Sequence, residues 1–417
     1  MPDSAQRTIA YLANTFPCAV EPYVVDEIRE FHQRGVKVVA CSVWPPKDRL
    51  PRDMDDVGVR IVLLRPSLVR VLPSAIRLLW HRRKPVLEIM RRAASDPEQS
   101  WARRCKLVIH TFLGACLAAK LSNHRVRHIH VHHGYFGAWL ATIASTLLEV
   151  PYTMTLHGSD LLLHRAFLRI KLEQSVGAFT VSEYNGHVLR GCYPESAHKI
   201  MLRRLGTHIP EPLITRTRIP HDPFVIATAG RLHAVKNHGF LVKACALLRS
   251  RGIPVVCRIA GGGPQRRNLE RQIRRLALGR EVQLLGHLGP AELNRLFTTA
   301  DLFVLTSRSE GIPVVLMEAM AHGVVVLAPD ITGIPELVVD GQTGFLYEAG
   351  SIEDFVARVE LIRSVFSALD PVRHAARRHV QRYFNHPTNL KLFITELLRI
   401  IENPAEVPDE DPVLQQI

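Results

Sequence analysis

Apolar and polar residues follow a repeating order along the first half of the chain. IAYLAN (9–14) is an apolar run, EPYVVDEIREFHQRG (21–35) has helical spacing, and KVVACSVW (37–44) is apolar again. The same order of strand, helix and strand returns over residues 128–158. Strands that alternate with helices of this length predict a parallel sheet with helices on both faces.

A second series of the same kind begins after a break. Residues 206–223 contain four prolines and show no periodicity, so we interpret them as an interdomain linker. Helical segments separate the apolar runs 224–230, 255–261, 282–286, 302–307 and 324–329. The predicted fold class is therefore α/β, with two Rossmann-like doubly wound domains that face each other across a cleft.

This pattern divides the chain into five parts. They are an N-terminal Rossmann-like domain (1–205), the linker, a C-terminal Rossmann-like domain (224–385), a C-terminal helix (386–402) and an acidic tail (403–417). We expect the helix to pack back on the N-terminal domain and the proline-rich tail to be disordered. Ligands of open α/β sheets bind outside the carboxyl ends of the strands, so the expected site lies there.

Composition is that of a soluble globular protein, with 47% hydrophobic and 22% charged residues among 417. Residues 1–8 are polar and lack the features of a signal peptide. The most span-like segment, 311–329, contains Glu318 and His322, which favours a buried helix and strand over a membrane crossing. Seven scattered cysteines without a CxxC pair are typical of reduced thiols in a cytoplasmic protein.

Positive charge is concentrated in the first half of the chain. Residues 1–205 hold 29 Lys and Arg against 17 Asp and Glu, whereas residues 206–417 hold 24 against 22. No zinc-finger spacing, RNP-like motif or basic leucine-zipper pattern is visible, so nucleic acid is not the expected partner. An anionic membrane surface or a phosphate-bearing acceptor fits this charge better.

The segment 68–84 carries much of this basic charge. It has apolar residues at helical spacing and ends in Arg82, Arg83 and Lys84. Such a helix can lie on an anionic membrane, or it can pack on the sheet of its own domain. The pattern leaves both interpretations open, and peripheral membrane attachment is our prediction.

Two acids frame the segment that follows the run 302–307. Glu310 lies in the loop before a predicted helix, and Glu318 lies one to two turns inside it. Backbone N–H groups at a helix N-terminus suit sugar hydroxyls or an anion. The backbone contacts are predicted from Gly311, Ile312, Pro313 and Val314. Glu318 stands in an otherwise apolar helix, where an unpaired carboxylate is costly, so we interpret it as functional.

Two cations follow the strand 224–230. Arg231 and Lys236 lie in the loop between this strand and the next predicted helix. Two cations beside a helix N-terminus form a receptor for a diphosphate, and they stabilise the negative charge that a departing diphosphate gains. We predict that both side chains bind the phosphates of a nucleotide.

The sequence GIPVVLMEAMAHGVVVLAPDITGIPELVVDGQTGFLY, with the acids that frame its start, resembles the GT-4 family of retaining glycosyltransferases. The shared marks are E-x7-E, EAMA, a G-I-P-E turn and D-G-x-T-G, and the resemblance covers about residues 224–385. The first half matches more loosely, in His157-Gly-Ser-Asp160 and in Phe16, Pro17, Glu27 and Ile28.

This resemblance implies the GT-B fold and a role for each candidate residue. Glu318 would bind the donor ribose, Glu310 and His157 would contact the transferred sugar as catalytic residues, and Arg231 and Lys236 would bind the diphosphate. The loop Gly261-Gly-Gly-Pro264 would shape the pocket. Nucleobase contacts are expected from the backbone of Gly286, His287 and Leu288. For His157 the alternative is a role at the start of the next helix, with Ser159 or Asp160 as N-cap.

The resulting hypothesis is a retaining glycosyltransferase that acts in exopolysaccharide or cell-envelope glycan synthesis. It would move a sugar from a UDP- or GDP-sugar to a saccharide or polyprenyl-linked acceptor on the N-terminal domain, without a metal ion or a bound cofactor. His128, His130 and His132 alternate on one strand face, and a metal site there is the weaker interpretation. The alternatives for function are a small-glycoside synthase and a non-catalytic nucleotide-sugar-binding assembly protein.

Overall fold

The protein forms two compact units. A computed structural model describes residues 8–18, 22–45, 60–64, 68–97, 99–158, 161, 165–211 and 219–403. The first unit comprises residues 1–203 and 390–417, and the second comprises residues 204–389. The predicted tail beyond residue 403, the polar N-terminal residues 1–7, and Ser159 with Asp160 lie outside the described residues.

A seven-stranded sheet forms the centre of the first unit. Its strands are β1 (Thr8–Thr15), β2 (Lys37–Trp44), β3 (Arg60–Leu63), β4 (His128–His132), β5 (Tyr152–Leu156), β6 (Gly177–Thr180) and β7 (Ile200–Leu202). All paired strands run parallel in the order β3-β2-β1-β4-β5-β6-β7. Because helices cover both faces, β4, β5 and β6 are buried along their whole length.

Within the described residues, seven helices lie between these strands. They are α1 (Pro22–Gln33), α2 (Leu68–His81), α3 (Arg83–Ala94), α4 (Trp101–Leu121), α5 (Phe136–Leu148), α6 (Leu168–Gln174) and α7 (Glu183–Cys192). Helix α7 begins where the hydroxyl of Ser182 accepts a hydrogen bond from the Asn185 N–H, 3.1 Å away. Helix α4 packs between α2 and α5, and its C-terminal half is buried.

The second unit has a six-stranded parallel sheet. Its strands are β8 (Phe224–Ala229), β9 (Val255–Ala260), β10 (Val282–Gly286), β11 (Leu302–Val304), β12 (Val325–Pro329) and β13 (Phe345–Tyr347). Their order is β10-β9-β8-β11-β12-β13, the doubly wound order of a Rossmann fold. The direction of winding therefore reverses between β8 and β11, and the loops after these two strands flank the crevice where such folds bind ligands.

The helices of the second unit lie between its strands and after the last strand. They are α8 (His238–Ser250), α9 (Arg266–Arg275), α10 (Pro290–Thr299), α11 (Val314–Ala321), α12 (Ile334–Leu337), α13 (Ile352–Ser364) and α14 (Asp370–Tyr383). The segment 311–329 forms buried helix α11 and buried strand β12, as the sequence predicted. The prediction lacked β13, because a three-residue strand has too few positions to show a period, and it also lacked helix α14.

The last helix, α15 (His386–Glu402), begins in the second unit and continues in the first. Its residues Phe393, Ile394, Leu397 and Ile400 join the core beside β1 and α1. The described parts of the predicted linker, 206–211 and 219–223, belong to the second unit, where Thr207 bridges to Asn385. This segment therefore departs from a free linker, because its backbone is tied into the unit that follows it.

Candidate functional site

Lys236 and Glu310 form an ion pair at the reversal point of the second sheet. The Lys236 Nζ lies 2.6 Å from Glu310 Oε1, and both side chains are largely buried. Lys236 comes from the loop after β8, and Glu310 comes from the loop after β11. Two predicted site residues that are 74 positions apart in sequence are therefore brought together.

Backbone contacts fix the loops that carry this pair. The Thr306 hydroxyl donates to the Lys236 carbonyl at 3.0 Å, and the Thr332 hydroxyl donates to the Glu310 carbonyl at 2.6 Å. The Arg308 N–H donates to the Val235 carbonyl at 2.8 Å. The loops after β8, β11 and β12 thus hold one another, which keeps the ammonium and the carboxylate in place before any ligand binds.

Arg231 lies on the same loop as Lys236, with its side chain exposed to solvent. The glycine loop after β9 packs against the loop that carries Arg231 and Lys236. A Cβ on Gly261 would meet the Gly230 carbonyl at 1.9 Å, and one on Gly263 would meet the Leu232 carbonyl at 2.6 Å. Both glycines also have positive φ, 137° and 151°. The GGGP segment therefore packs closely against the cation-bearing loop, and its role in shaping a pocket stays a prediction.

The loop from Gly311 to Pro313 leads into α11. The sequence predicts a helix that begins around Pro313; in the structure the helix begins one residue later, at Val314, and Pro313 lies just before it. In the described residues, the N–H groups of Gly311, Ile312 and Val314 donate no backbone hydrogen bond. A helix start with such donors beside Lys236 can accept hydroxyl or phosphate oxygens.

Glu318 lies in α11 among buried apolar residues. Its carboxylate makes no hydrogen bond or ion pair within the described residues. Burial raises the pKa of the Glu318 carboxyl to about 7. A carboxylate without a protein partner, kept in a costly environment, is typical of a ligand contact, and its two oxygens suit a diol.

The predicted nucleobase contacts follow β10. Gly286 has φ 77°, and its carbonyl already accepts the Gly261 N–H at 2.6 Å. His287 is exposed, and Leu288 packs against the core beside α11. The Gly286 carbonyl is therefore already hydrogen-bonded to the glycine loop. The backbone of His287 and Leu288 lies at the same edge of the sheet.

His157 follows β5 in the first unit and contacts His132 at the end of β4. The His132 Nδ1 and the His157 Nε2 are 3.3 Å apart. Burial lowers the pKa of both imidazoles well below their usual value, and nearby positive charge adds to the effect. Both rings are therefore neutral at physiological pH.

The interpretation of the three alternating histidines, His128, His130 and His132, needs a correction. The sequence showed no acid near them, but Glu27 lies with His130 and His132, and their ligand atoms are within 4.8 Å of one another. Glu27 is about 100 residues away in sequence and comes from α1, so spacing alone could not place it. Two signals were available in the sequence: a glutamate beside the apolar residues of α1, and the part of Glu27 in the loose match of the first half to the GT-4 family.

Most ring nitrogens of these histidines have hydrogen-bond partners. His130 Nδ1 lies 2.8 Å from the Thr153 hydroxyl, and its Nε2 lies 3.1 Å from the Thr155 hydroxyl. His132 binds Glu27 and His157. The cluster is therefore a hydrogen-bonded network of neutral imidazoles, arranged around one carboxylate.

Together, the residues of the second unit offer two cations, helix N–H donors and two carboxylates along one edge of a sheet. Cations and N–H groups bind phosphate oxygens, and the carboxylates accept hydroxyl groups. This combination matches a ligand that joins a diphosphate to sugar rings.

Comparisons with known proteins agree with this chemistry. Residues 211–405 match the family model of the glycosyl transferases group 1. The chain is 30% identical over 415 residues to the amylovoran biosynthesis glycosyltransferase AmsK of Erwinia amylovora, covering 90% of this chain and 96% of AmsK. It is 33% identical over 202 residues to the colanic acid biosynthesis glycosyltransferase WcaL of Salmonella typhimurium, covering 47% of this chain and 49% of WcaL.

Solved structures show the same fold. A sucrose-phosphate synthase from Thermosynechococcus elongatus has a TM-score of 0.73 at 18% identity, covering 95% of this chain and 99% of the other. HepE of Anabaena, solved in complex with UDP-glucose, has a TM-score of 0.68 at 18% identity, covering 94% and 99%. At this identity the likeness shows the GT-B fold alone, and the predicted fold class is confirmed.

Proposed function

The chain belongs to the glycosyl transferases group 1 family and is a glycosyltransferase, and from this we propose that it moves a sugar from a nucleotide-sugar donor to a saccharide or lipid-linked acceptor. The acceptor would belong to an exopolysaccharide or another cell-envelope glycan. Two observations on relatives support this proposal: AmsK and WcaL carry the names of polysaccharide biosynthesis enzymes, and HepE was solved with UDP-glucose.

The second unit would bind the donor. Lys236 and Arg231 bind the diphosphate, and Glu318 accepts the ribose hydroxyls. Glu310 and the N–H groups before α11 hold the transferred sugar, and the backbone at 286–288 contacts the base. The observation that carries this proposal is the Lys236–Glu310 contact of 2.6 Å at the reversal point of the sheet. This contact supports the proposal, because a cation suited to a phosphate then lies beside an acceptor suited to sugar hydroxyls, and these two groups are neighbours in a nucleotide sugar.

The first unit would bind the acceptor, and His157 would contact the transferred sugar. Bond cleavage moves negative charge onto the departing diphosphate, which Arg231 and Lys236 stabilise. We expect a retaining reaction in which the leaving phosphate takes the proton of the acceptor hydroxyl, as the GT-4 resemblance implies. Such a route needs no protein base, and it assigns to the side chains the tasks of positioning and charge stabilisation.

A donor panel tests the proposed activity. The purified chain is incubated with UDP-, GDP- and ADP-sugars, and released nucleoside diphosphate is measured by chromatography. We expect slow hydrolysis of one donor class, faster release once an acceptor is added, and a product whose anomeric configuration matches the donor by NMR. Lack of release from every donor, with and without lipid-linked saccharide acceptors, would contradict the proposed activity and favour a non-catalytic binding protein.

We further propose that the first unit attaches to an anionic membrane surface. Helix α2 has a broad apolar face: one stripe of it packs on the core, and the adjoining stripe is exposed. The exposed stripe consists of Val69, Leu72, Ile76 and Trp80, which are between 37% and 80% exposed. On α4, which packs against α2, Trp101, Val108 and Ile109 are more than 60% exposed. Exposed Trp and aliphatic residues next to Arg77, Arg83 and Lys84 fit an interfacial helix.

Helix α4 also affects the choice between a helix that crosses the membrane and a peripheral contact with its surface. The stretch Trp101–His124 is the one part of the described chain long and apolar enough to cross a bilayer, but half of it is buried inside the unit. Peripheral contact therefore explains the exposed residues without unfolding this core. All seven cysteines are free thiols, which fits a place on the cytoplasmic face, where nucleotide sugars would be the donors.

Vesicle co-sedimentation tests this attachment. We expect the wild type to bind vesicles containing anionic lipid and to lose most of that binding when Ile76 and Trp80 are both replaced by Ser. Charge reversal at Arg82, Arg83 and Lys84 should weaken binding about 100-fold or more, because three charges at roughly 1 kcal/mol each contribute about 3 kcal/mol. Reversal of Arg267, Arg271 and Arg274 on α9, which changes net charge equally, is the matched control. Equal loss in control and test variants would contradict a specific membrane face.

A further inference from the structure

A buried chain of three side chains runs through the first unit. It begins at Glu27 on α1, passes through His132 at the end of β4, and reaches His157 after β5. The His132 Nε2 lies 2.9 Å from Glu27 Oε2, and the His132 Nδ1 lies 3.3 Å from the His157 Nε2. The side chains of Glu27 and His132 have no solvent exposure.

Glu27 is held by further donors on both of its oxygens. The Tyr11 hydroxyl donates to Oε2, and the Arg203 guanidinium donates to Oε1. Arg203 in turn lies over the Phe393 ring, with its central carbon 4.0 Å from the ring centre. A guanidinium beside a carboxylate favours the ionised acid, so Glu27 can only accept hydrogen bonds.

This carboxylate determines where the protons of both imidazoles lie. Burial keeps His132 and His157 neutral, so each ring carries one proton. The His132 Nε2 also lies 3.0 Å from the Tyr11 hydroxyl, whose own proton goes to Glu27. Both neighbours of this nitrogen are therefore acceptors, so His132 must donate from Nε2, which leaves its Nδ1 without a proton. His157 must then donate from Nε2 to that Nδ1, which makes the His157 Nδ1 a hydrogen-bond acceptor.

We propose that Glu27 is a positioning residue that acts through His132 to hold His157 in the tautomer with its proton on Nε2. In that tautomer, the His157 Nδ1 accepts a hydrogen bond from a hydroxyl group of the transferred sugar. This inference rests on the proposed function, in which His157 contacts that sugar. The Tyr23 ring packs against both imidazoles, with ring centres 5.2 and 5.3 Å away, and keeps their planes in place.

A metal ion at Glu27, His130 and His132 would be the competing use of these groups. Both His130 nitrogens are already bound to threonine hydroxyls, and the Arg203 guanidinium stands at the carboxylate that the ion would need. A second cation beside that guanidinium would meet like-charge repulsion in a buried environment. The arrangement therefore favours proton placement over metal binding.

Nitrogen-15 NMR of histidine-labelled full-length protein tests the proposal without substrate. We expect the wild-type His157, assigned by comparison with a His157→Gln sample, to show a protonated Nε2 and an unprotonated Nδ1. In Glu27→Gln, the amide oxygen should stay with Arg203 and the amide NH2 should face His132. The proton of His132 then moves to Nδ1, and that of His157 also moves to Nδ1.

Activity gives the second readout. Holding the wrong tautomer removes one hydrogen bond to the sugar, so kcat of Glu27→Gln should fall about 10- to 100-fold while KM for the donor changes less. Thr155→Val is the matched control. It removes the hydrogen bond between Thr155 and His130, which lies on the same strand as His132, and it leaves the contacts from Glu27 to His157 intact. We expect this control to keep the wild-type tautomer and rate.

Three results would overturn the proposal. They are a protonated Nδ1 on wild-type His157, an unchanged His157 tautomer in Glu27→Gln, and a changed tautomer with an unchanged kcat. A protonated Nδ1 on wild-type His157 overturns the proposal even if Glu27→Gln fails to fold. The spectra need no donor, so the tautomer can be measured whether or not the protein transfers sugar. A protein that transfers no sugar at all would contradict the proposed function without changing the tautomer result.

Discussion

Lys236→Ala is expected to reduce sugar transfer at least about 100-fold while the protein stays folded. Its ammonium is the buried cation at the reversal point of the second sheet, and the departing diphosphate gains charge there in the transition state. Removal of one preorganised electrostatic group typically costs about 100- to 1,000-fold in kcat. Steady-state release of nucleoside diphosphate with an acceptor present, together with a circular dichroism spectrum, measures both outcomes.

Lys243→Ala provides the matched control for this change. Lys243 lies on α8, a few residues after Lys236, with its side chain exposed. It loses the same charge and the same number of methylene groups, and we expect wild-type transfer. Near-normal turnover by Lys236→Ala, or equal losses in both variants, would contradict a specific phosphate contact at Lys236.

Glu318→Gln is expected to remove a pH-dependent contribution to the free energy of unfolding of the unliganded protein. The pKa of this carboxyl is raised to about 7 in the folded state from 4.5. Between these values the folded state holds the proton and the unfolded state does not, so stability falls as pH rises through this window. The total effect is about 3 kcal/mol, at about 1.4 kcal/mol for each pKa unit.

Urea unfolding at several pH values between 4.5 and 8 measures this contribution. The wild type should lose stability across the window, and Glu318→Gln should show a flatter dependence. Glu353→Gln, an exposed acid on α13, is the control and should follow the wild type. Parallel pH curves for Glu318→Gln and the wild type would contradict the raised pKa.

The same group should make donor binding depend on pH. The ribose hydroxyls donate to the ionised carboxylate, so binding releases its proton below pH 7. Affinity of the wild type for a nucleotide sugar should rise about 10-fold from pH 6 to pH 8, and this rise should vanish in Glu318→Gln. At pH 8 the variant should bind about 10- to 100-fold more weakly, because hydrogen bonds to a charged group are lost. A pH-independent wild-type affinity would count against the ribose role.

Much of the second unit could be predicted from its sequence. Its strands are short apolar runs that end at glycine or a polar loop, and Lys236 and Glu310 each follow such a run. Because the carboxyl ends of parallel strands meet at one edge, the contact between these residues follows from chain order. The family membership and the glycosyltransferase activity inferred from this segment are confirmed by the comparisons.

The first unit was less predictable, because its network joins residues that no local pattern connects. Glu27, His132 and Arg203 come from a helix, a strand end and the residue after β7, and nothing in the local sequence links one of them to another. The apolar pattern of α2 also does not distinguish the residues that pack on the core from those that are exposed. The segment 68–84 was expected to show one apolar face, whereas Leu72 and Ile76 are exposed while Ala75 is buried.

The most direct test of the central claim is a calorimetric titration of the full chain with the nucleoside diphosphate that the donor panel selects. The account predicts saturable binding by the wild type and by a Lys243→Ala, Arg267→Ala control. It also predicts at least about 100-fold weaker binding when Arg231 and Lys236 are both replaced by Ala, because each charge-assisted contact contributes about 1.5–3 kcal/mol. Equal affinity in the double variant and the wild type would contradict it.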